Sequence, residues 1–150
     1  MTYDDLDLKI IDSLLEDGRK SQRSIAEELD VSVTTISNHV KSMEEDGTIQ
    51  GFKPVLNYPK LGYTVTSVHM IKAEGDSITD LVDELEDEES LIHVYEVTGD
   101  FDVIAVGKFQ DTESMNDTIK NLLNSPMVKE TNTNVVLSTV KEDQDVEFDM

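Results

Sequence analysis

The chain has no cysteine among its 150 residues. That excludes disulfides, thiol chemistry and cysteine-based zinc sites. No stretch approaches the roughly 18 consecutive apolar residues of a membrane helix, so no membrane partner is expected. The N-terminus, MTYDDLDLK, has no basic segment leading into an apolar one. No secretory signal is expected there, and the cytoplasm is the expected compartment. No glycine-rich phosphate loop or nucleophile elbow occurs. Carboxylate pairs such as Asp83-Glu84 read as hydrated surface rather than acid–base dyads. His39, His69 and His93 have no metal-ligand spacing. No enzyme activity, no metal and no cofactor is expected.

Basic residues are also scarce. Twelve Lys and Arg stand against 33 Asp and Glu, for a net charge of −21. The deficit is uneven: residues 1–60 carry −5 and residues 61–150 carry −16. Both arginines, Arg19 and Arg23, lie in the first part. A surface of carboxylates over an ordinary core suits a protein kept soluble in a very salty cytoplasm. The plainer alternative is an acidic protein that uses its charge for solubility and binds no nucleic acid.

Against that charge stands residues 21–46, SQRSIAEELDVSVTTISNHVKSMEED. Ile25, Ala26 and Leu29 mark a short helix. Val33, Ile36, Val40 and Met43 form the apolar stripe of a second, with Ser32 as its N-cap. Its other face carries Thr34, Thr35, Ser37, Asn38 and Lys41, the small hydroxyls, amide and amine that a major groove accepts. An earlier helix over 5–17 places Leu8, Ile11 and Leu15 on one face, with Leu14 beside it. Ile49, Phe52 and Val55, with Gly47 and Gly51, suggest a short two-stranded wing. Residues 1–57 therefore read as a winged helix-turn-helix DNA-binding domain. Arg19, Lys20, Arg23 and Lys53 are candidate phosphate contacts.

Residues 58–62, YPKLG, read as a linker. Strands are expected at 63–73, 91–98, 103–109 and 128–140, with helices at 77–86 and 112–124. Ser77 with Asp80 resembles a capping pattern. The order βαββαβ is a ferredoxin-like sandwich over 63–140, so the fold class is α+β. Its sheet would have one bare face, which invites dimerisation. An acylphosphatase-like enzyme of that fold would need an arginine here, and none follows Arg23. The remaining residues, 141–150, form an acidic tail expected to be disordered.

The chain resembles the Lrp/AsnC (feast-or-famine) family of transcription regulators over about residues 3–140. The helix-turn-helix stretch, the link YPKLG and the turn TGDFD at 98–102 carry the match. The resemblance implies dimers that often assemble into octamers, and an amino acid bound in a cleft between dimers. Carried onto this chain, Gly99, Asp100, Phe101 and Asp102 would line that site. Thr98, with Thr131 and Thr133 from the last strand, would be further members. Asp102 suits the ammonium of an amino acid, and turn N–H groups suit its carboxylate. Read from the turn alone, Gly99-Asp100 is only a hairpin and Asp102 its cap. The chain departs from the family in having Ser37, Asn38 and His39 where arginines often stand. Adenine reading by Asn38 and a preference for AT-rich sites would follow.

The function expected is a sequence-specific regulator on double-stranded DNA whose assembly or operator affinity responds to an amino acid. Its polar site leans toward glutamine or asparagine, and its acidity toward a halophilic archaeon. The alternatives are an acidic protein-interaction module or a constitutive architectural regulator without effector.

Overall fold

A computed structural model of the chain describes residues 3–148. It divides into two compact units, one running to Val55 and joined by the residues from Lys141, the other Leu56–Val140.

The first unit holds three helices, α1 (Asp5–Glu16), α2 (Gln22–Leu29) and α3 (Val33–Glu45). Each start has a side-chain cap that satisfies an otherwise orphaned N–H. Asp4 and Asp7 form a capping box on α1, Ser21 accepts from Ser24 N–H on α2, and Ser32 accepts from Thr35 N–H on α3. Between α2 and α3 the chain reverses through Asp30 in the left-handed region (φ 54°). Ile10, Ile25, Ala26, Ile36, Val40 and Met43 are buried together as the core. Of the expected α1 face, Ile11 and the adjacent Leu14 pack on this core beside Leu6 and Ile10, while Leu15 is 42% exposed. Leu6, Ile10 and Leu14 have helical spacing as well, so periodicity alone does not separate the two sets. Val33 likewise falls off the apolar stripe and is largely exposed.

α1 to α4 share one habit of composition. Glu16, Glu27 and Glu28, Glu44 and Glu45, and Glu84 and Glu86 occupy their last turns, each followed by a capping Asp (17, 30, 46, 87). No described α-helix has a basic residue in its last turn.

After α3, Gly47 turns the chain at φ 82° and Ile49 N–H returns to Met43 O at 2.9 Å. The expected wing ladder does not follow, and residues 51–57 carry no strand. Pro54 removes a donor, and a lone two-stranded ribbon is marginal in water. Val55 is fully exposed, while Phe52 lines an open pocket of about 160 Å³ with Leu14, Ile25 and Val40.

The second unit opens on Tyr58 and a 3-10 turn, Pro59–Leu61, ended by Gly62 at φ 90°. The Lys108 ammonium lies 5.5 Å from the Tyr58 ring centroid, so the link is held to the sheet. The strands are β1 (Val65–Ala73), β2 (Leu91–Glu96), β3 (Val103–Phe109) and β4 (Val128–Val135), with α4 (Ile78–Glu86) and α5 (Thr112–Asn124) between them. They form one antiparallel sheet in the order β2-β3-β1-β4. Both helices lie on one face, where Ile71, Leu81, Leu85, Val103, Ala105 and Leu122 are buried. The other face presents Val68, Met70, Tyr95, Ile104 and Val106, and all remain partly or wholly exposed. Asp111 caps α5 by a capping box, and the Ser114 N–H it accepts holds its carboxyl below the usual range. Ser77 stands at the α4 cap but makes no side-chain bond there; its backbone (φ −82°, ψ 2°) lacks the extended conformation of the other capping residues, and its N–H bonds Glu74 O.

β4 ends at Val135, earlier than expected, and residues 136–148 carry no helix or strand. No described helix is long and apolar enough to cross a membrane.

Candidate functional site

The face of α3 away from the core is a stripe of Thr34, Asn38, Lys41 and Glu45, spaced 4, 3 and 4 residues apart and all exposed. Thr34 and Asn38 make no side-chain bond within the chain, so their groups are free to meet another molecule. Lys41 pairs with Glu45 at 3.7 Å, a loose exposed contact of the kind worth little. Thr35 is different: its hydroxyl lies 2.8 Å from Ser32 Oγ and belongs to the cap of the helix. Ser37 is half-buried on the far flank of the stripe.

The candidate phosphate contacts also separate. Arg19 and Lys53 are exposed and make no side-chain bond within the chain. Arg23 pairs loosely with Glu27 at 3.8 Å. Lys20 is engaged internally. Its ammonium donates to Glu28 at 2.9 Å, to Ser13 at 2.9 Å and to Glu16 at 3.3 Å, with only 16% of the side chain exposed. The Glu28 bond raises the Lys20 pKa, and the same bond lowers that of Glu28. Lys20 thus ties α1 to α2, a role the excess of nearby acids could have suggested from sequence.

A second internal tie reaches α3. His39 Nδ1 and Asp7 Oδ1 are 2.7 Å apart. Burial works to raise the Asp7 pKa, but the His39 hydrogen bond and those from Asp4 bring it down overall. Asp4, Asp7 and His39 hold ligand-type atoms within 4.8 Å. The capping box and the ion pair account for that proximity. His69 and His93 sit on strands separated by β3.

In the second unit, the turn between β2 and β3 holds Thr98, Gly99 and Asp100 exposed, and Phe101 and Asp102 half-buried. Gly99 has φ 114°, a conformation a side chain would strain. Asp102 is tied on three sides. Its N–H donates to Ile71 O at 2.9 Å, and its carbonyl accepts from Val97 N–H at 2.8 Å. Its Oδ2 accepts from Ala73 N–H at 2.8 Å. The side chain thus braces the end of β1, only the Asp102 backbone closes the hairpin, and Oδ1 has no bond to a described residue.

Thr131 and Thr133 lie on β4 opposite Ile71 and His69. Thr131 is thus level with the turn, one strand beyond β1. Thr133 is engaged: its hydroxyl is 3.1 Å from His69 Nδ1, and Ser67 Oγ is 2.7 Å from His69 Nε2. His69 is fully buried, edge-on to Phe109, and burial lowers its pKa. Sequence reasoning set this histidine aside, yet it is a polar bridge from β1 to β4 in the core.

Comparisons with known proteins fit this geometry. The family described as Lrp/AsnC ligand binding domain matches residues 65–146, and the one described as winged helix-turn-helix DNA-binding matches residues 3–50. An uncharacterized HTH-type transcriptional regulator of Pyrococcus furiosus is 46% identical over 143 residues, covering 95% of this chain and 97% of its own. HTH-type transcriptional regulator FL11 of Pyrococcus abyssi is 30% identical, covering 95% and 94%. Among solved structures, Escherichia coli AsnC superposes with a TM-score of 0.91 at 21% identity, over 97% of this chain and 99% of that one. A Neisseria meningitidis transcriptional regulator in complex with L-Met also reaches 0.91, at 19% identity and 97% of both chains. At those identities the structures speak for the fold.

Proposed function

We propose, from the premise that this chain belongs to the Lrp/AsnC family of DNA-binding transcription regulators, that it reads double-stranded DNA sequence-specifically through α3 and tunes that affinity by binding an amino acid at the turn 98–102. The observation that carries the reading is the stripe of Thr34, Asn38 and Lys41. Its first two members are free of internal bonds, while neighbouring polar groups are committed to caps. Asn38 suits adenine and Thr34 the thymine methyl, and Lys41 suits phosphate or guanine, so AT-rich sites are favoured. Arg19, Arg23 and Lys53 supply backbone contacts and Lys20 does not.

The uncommitted Oδ1 of Asp102 supports capture of an ammonium, with N–H groups of the Gly99 turn for the carboxylate. The L-Met complex of the Neisseria protein supports the effector class without fixing its identity here. The polar surroundings lean toward glutamine or asparagine. The uncovered face of the sheet supports a dimer, and an octamer would add avidity by linking several DNA-binding heads. An amino acid shifts operator affinity only as far as it binds two assemblies unequally. The net charge of −21 supports a cytoplasm rich in salt, as in a halophilic archaeon.

The charge also favours a second reading, an acidic protein-interaction module or architectural regulator without effector. Isothermal titration with each proteinogenic amino acid, in about 2 M KCl to screen the carboxylates, tests the choice. One binder that also shifts duplex affinity supports the sensor. Duplex binding with no amino-acid binder supports the architectural role, and neither supports the interaction module.

A further inference from the structure

His39 is held to one orientation by a residue 32 positions away. Asp7 Oδ1 meets its Nδ1 at 2.7 Å. Asp7 is itself fixed, because its Oδ2 accepts from Asp4 N–H at 3.2 Å and its N–H donates to Asp4 Oδ1 at 2.8 Å. An imidazole bonded through Nδ1 to a fixed carboxylate presents Nε2 on its opposite edge. Here Nε2 makes no bond within the chain, and 27% of the side chain is exposed. His39 directly follows Asn38 and lies one turn from Thr35 and Ser42, between them and the buried face of α3. Asp7 and Asp4 of α1 are the charged groups that face the ring. Its α3 neighbours one turn away, Thr35, Ile36, Ser42 and Met43, are uncharged. No other charged side chain pairs with it among the described residues.

We propose that His39, oriented by Asp7, is a further contact to the DNA backbone, its imidazolium donating Nε2–H to a phosphate oxygen. The inference rests on the reading that α3 meets duplex DNA. Five Lys and Arg residues precede residue 51 (Lys9, Arg19, Lys20, Arg23 and Lys41). Lys20 is spent on Glu28, and Arg23 and Lys41 each lie near a glutamate. His39 is paired too, with Asp7 at 2.7 Å, and what it adds is a second, oriented N–H donor rather than an unpaired charge. The contact requires the protonated ring, so by linkage affinity falls as rising pH removes that proton, by at most about tenfold per pH unit. Sequence reading passed over His39 because its Asp7 partner is not local.

The test is fluorescence anisotropy of the full chain on a labelled AT-rich duplex of random sequence, between about pH 5.5 and 8, at constant ionic strength with EDTA throughout. The wild type is expected to bind more tightly toward low pH, and His39→Gln to lose most of that slope. At low pH His39→Gln is also expected to reduce the dependence of log affinity on log salt by about one. His39→Lys carries its charge at every pH and is expected to bind well with no such slope, which covers a folding loss in the glutamine variant. His69→Gln and His93→Gln are expected to keep the wild-type slope. A wild-type slope in His39→Gln overturns the proposal while leaving the reading of α3 intact. No duplex binding by the wild type at any pH overturns both.

Discussion

The carboxylate of Asp102 is bonded to the backbone of Ala73, Oδ2 accepting from the N–H at 2.8 Å. A residue after one hairpin thus holds the end of β1, 29 positions earlier. The bond gives Asp102 a structural role with one oxygen and leaves the other for a ligand, so two substitutions separate the roles.

Asp102→Asn keeps an acceptor of the same shape and loses the charge. It is expected to retain basal duplex binding and to lose the response to the amino acid. Asp102→Ala leaves Ala73 N–H without its partner and is expected to cost about 1–2 kcal/mol. Urea unfolding reads the second effect, and duplex binding with and without effector reads the first. An asparagine variant that responds normally would reduce Asp102 to a brace.

Asn38→Ala is expected to weaken binding to a selected AT-rich site by about 1–3 kcal/mol and binding to random duplex far less. Competition between the two duplexes gives the ratio. An equal loss on both would make Asn38 a backbone contact.

Arg19 and Lys20 are adjacent in sequence and differ in role. Arg19→Gln is expected to reduce the salt dependence of duplex binding by about one in log–log slope. Lys20→Gln is expected to leave that slope nearly unchanged and to lower the melting temperature, because Ser13, Glu16 and Glu28 lose their shared partner. A salt titration beside a thermal melt distinguishes them.

Much of this arrangement was legible in the sequence. Ser32 announces the start of α3, and the strand–helix rhythm after residue 63 fixes the sheet order through the topology that rhythm allows. The sequence was less informative where two local solutions compete or where a partner is distant. In α1, Leu6, Ile10 and Leu14 are as valid a helical face as Leu8, Ile11 and Leu15, and only packing centres the buried face on Ile10, keeping Ile11 and turning Leu15 outward. The 47–55 segment has turn glycines and alternating apolars but no third layer to lie on. At the candidate site, the exposed polar stripe of α3 was readable, whereas the commitments of Lys20, Thr35 and His39 depend on neighbours that only the fold brings together. Gly107 is similar: a Cβ there would meet the ring of Phe109, two residues along the same strand.

Burial lowers the pKa of His69 below the usual 6.5, so the folded chain holds that proton more weakly than the unfolded one. Stability from this site is then complete above about pH 6.5 and declines as pH falls below it. Unfolding free energy measured in urea is expected to drop between pH 7 and 5, and His69→Gln is expected to flatten that drop. An unchanged pH profile in the variant would assign the drop to other groups.

The carboxylates that close α1 to α4 have a consequence for folding itself. The peptide dipoles of a helix leave its C-terminus partly negative, and a cation there typically contributes about 0.3–1 kcal/mol. These four helices place anions at that pole, and only Glu16, Glu27, Glu28 and Glu45 among them have a described Lys or Arg partner, so in dilute buffer the others are expected to weaken the last turns. Added salt screens the repulsion within a turn. The protein is then expected to tighten with KCl over a range where a surface held by ion pairs would loosen, making the ionic medium a working part of the fold.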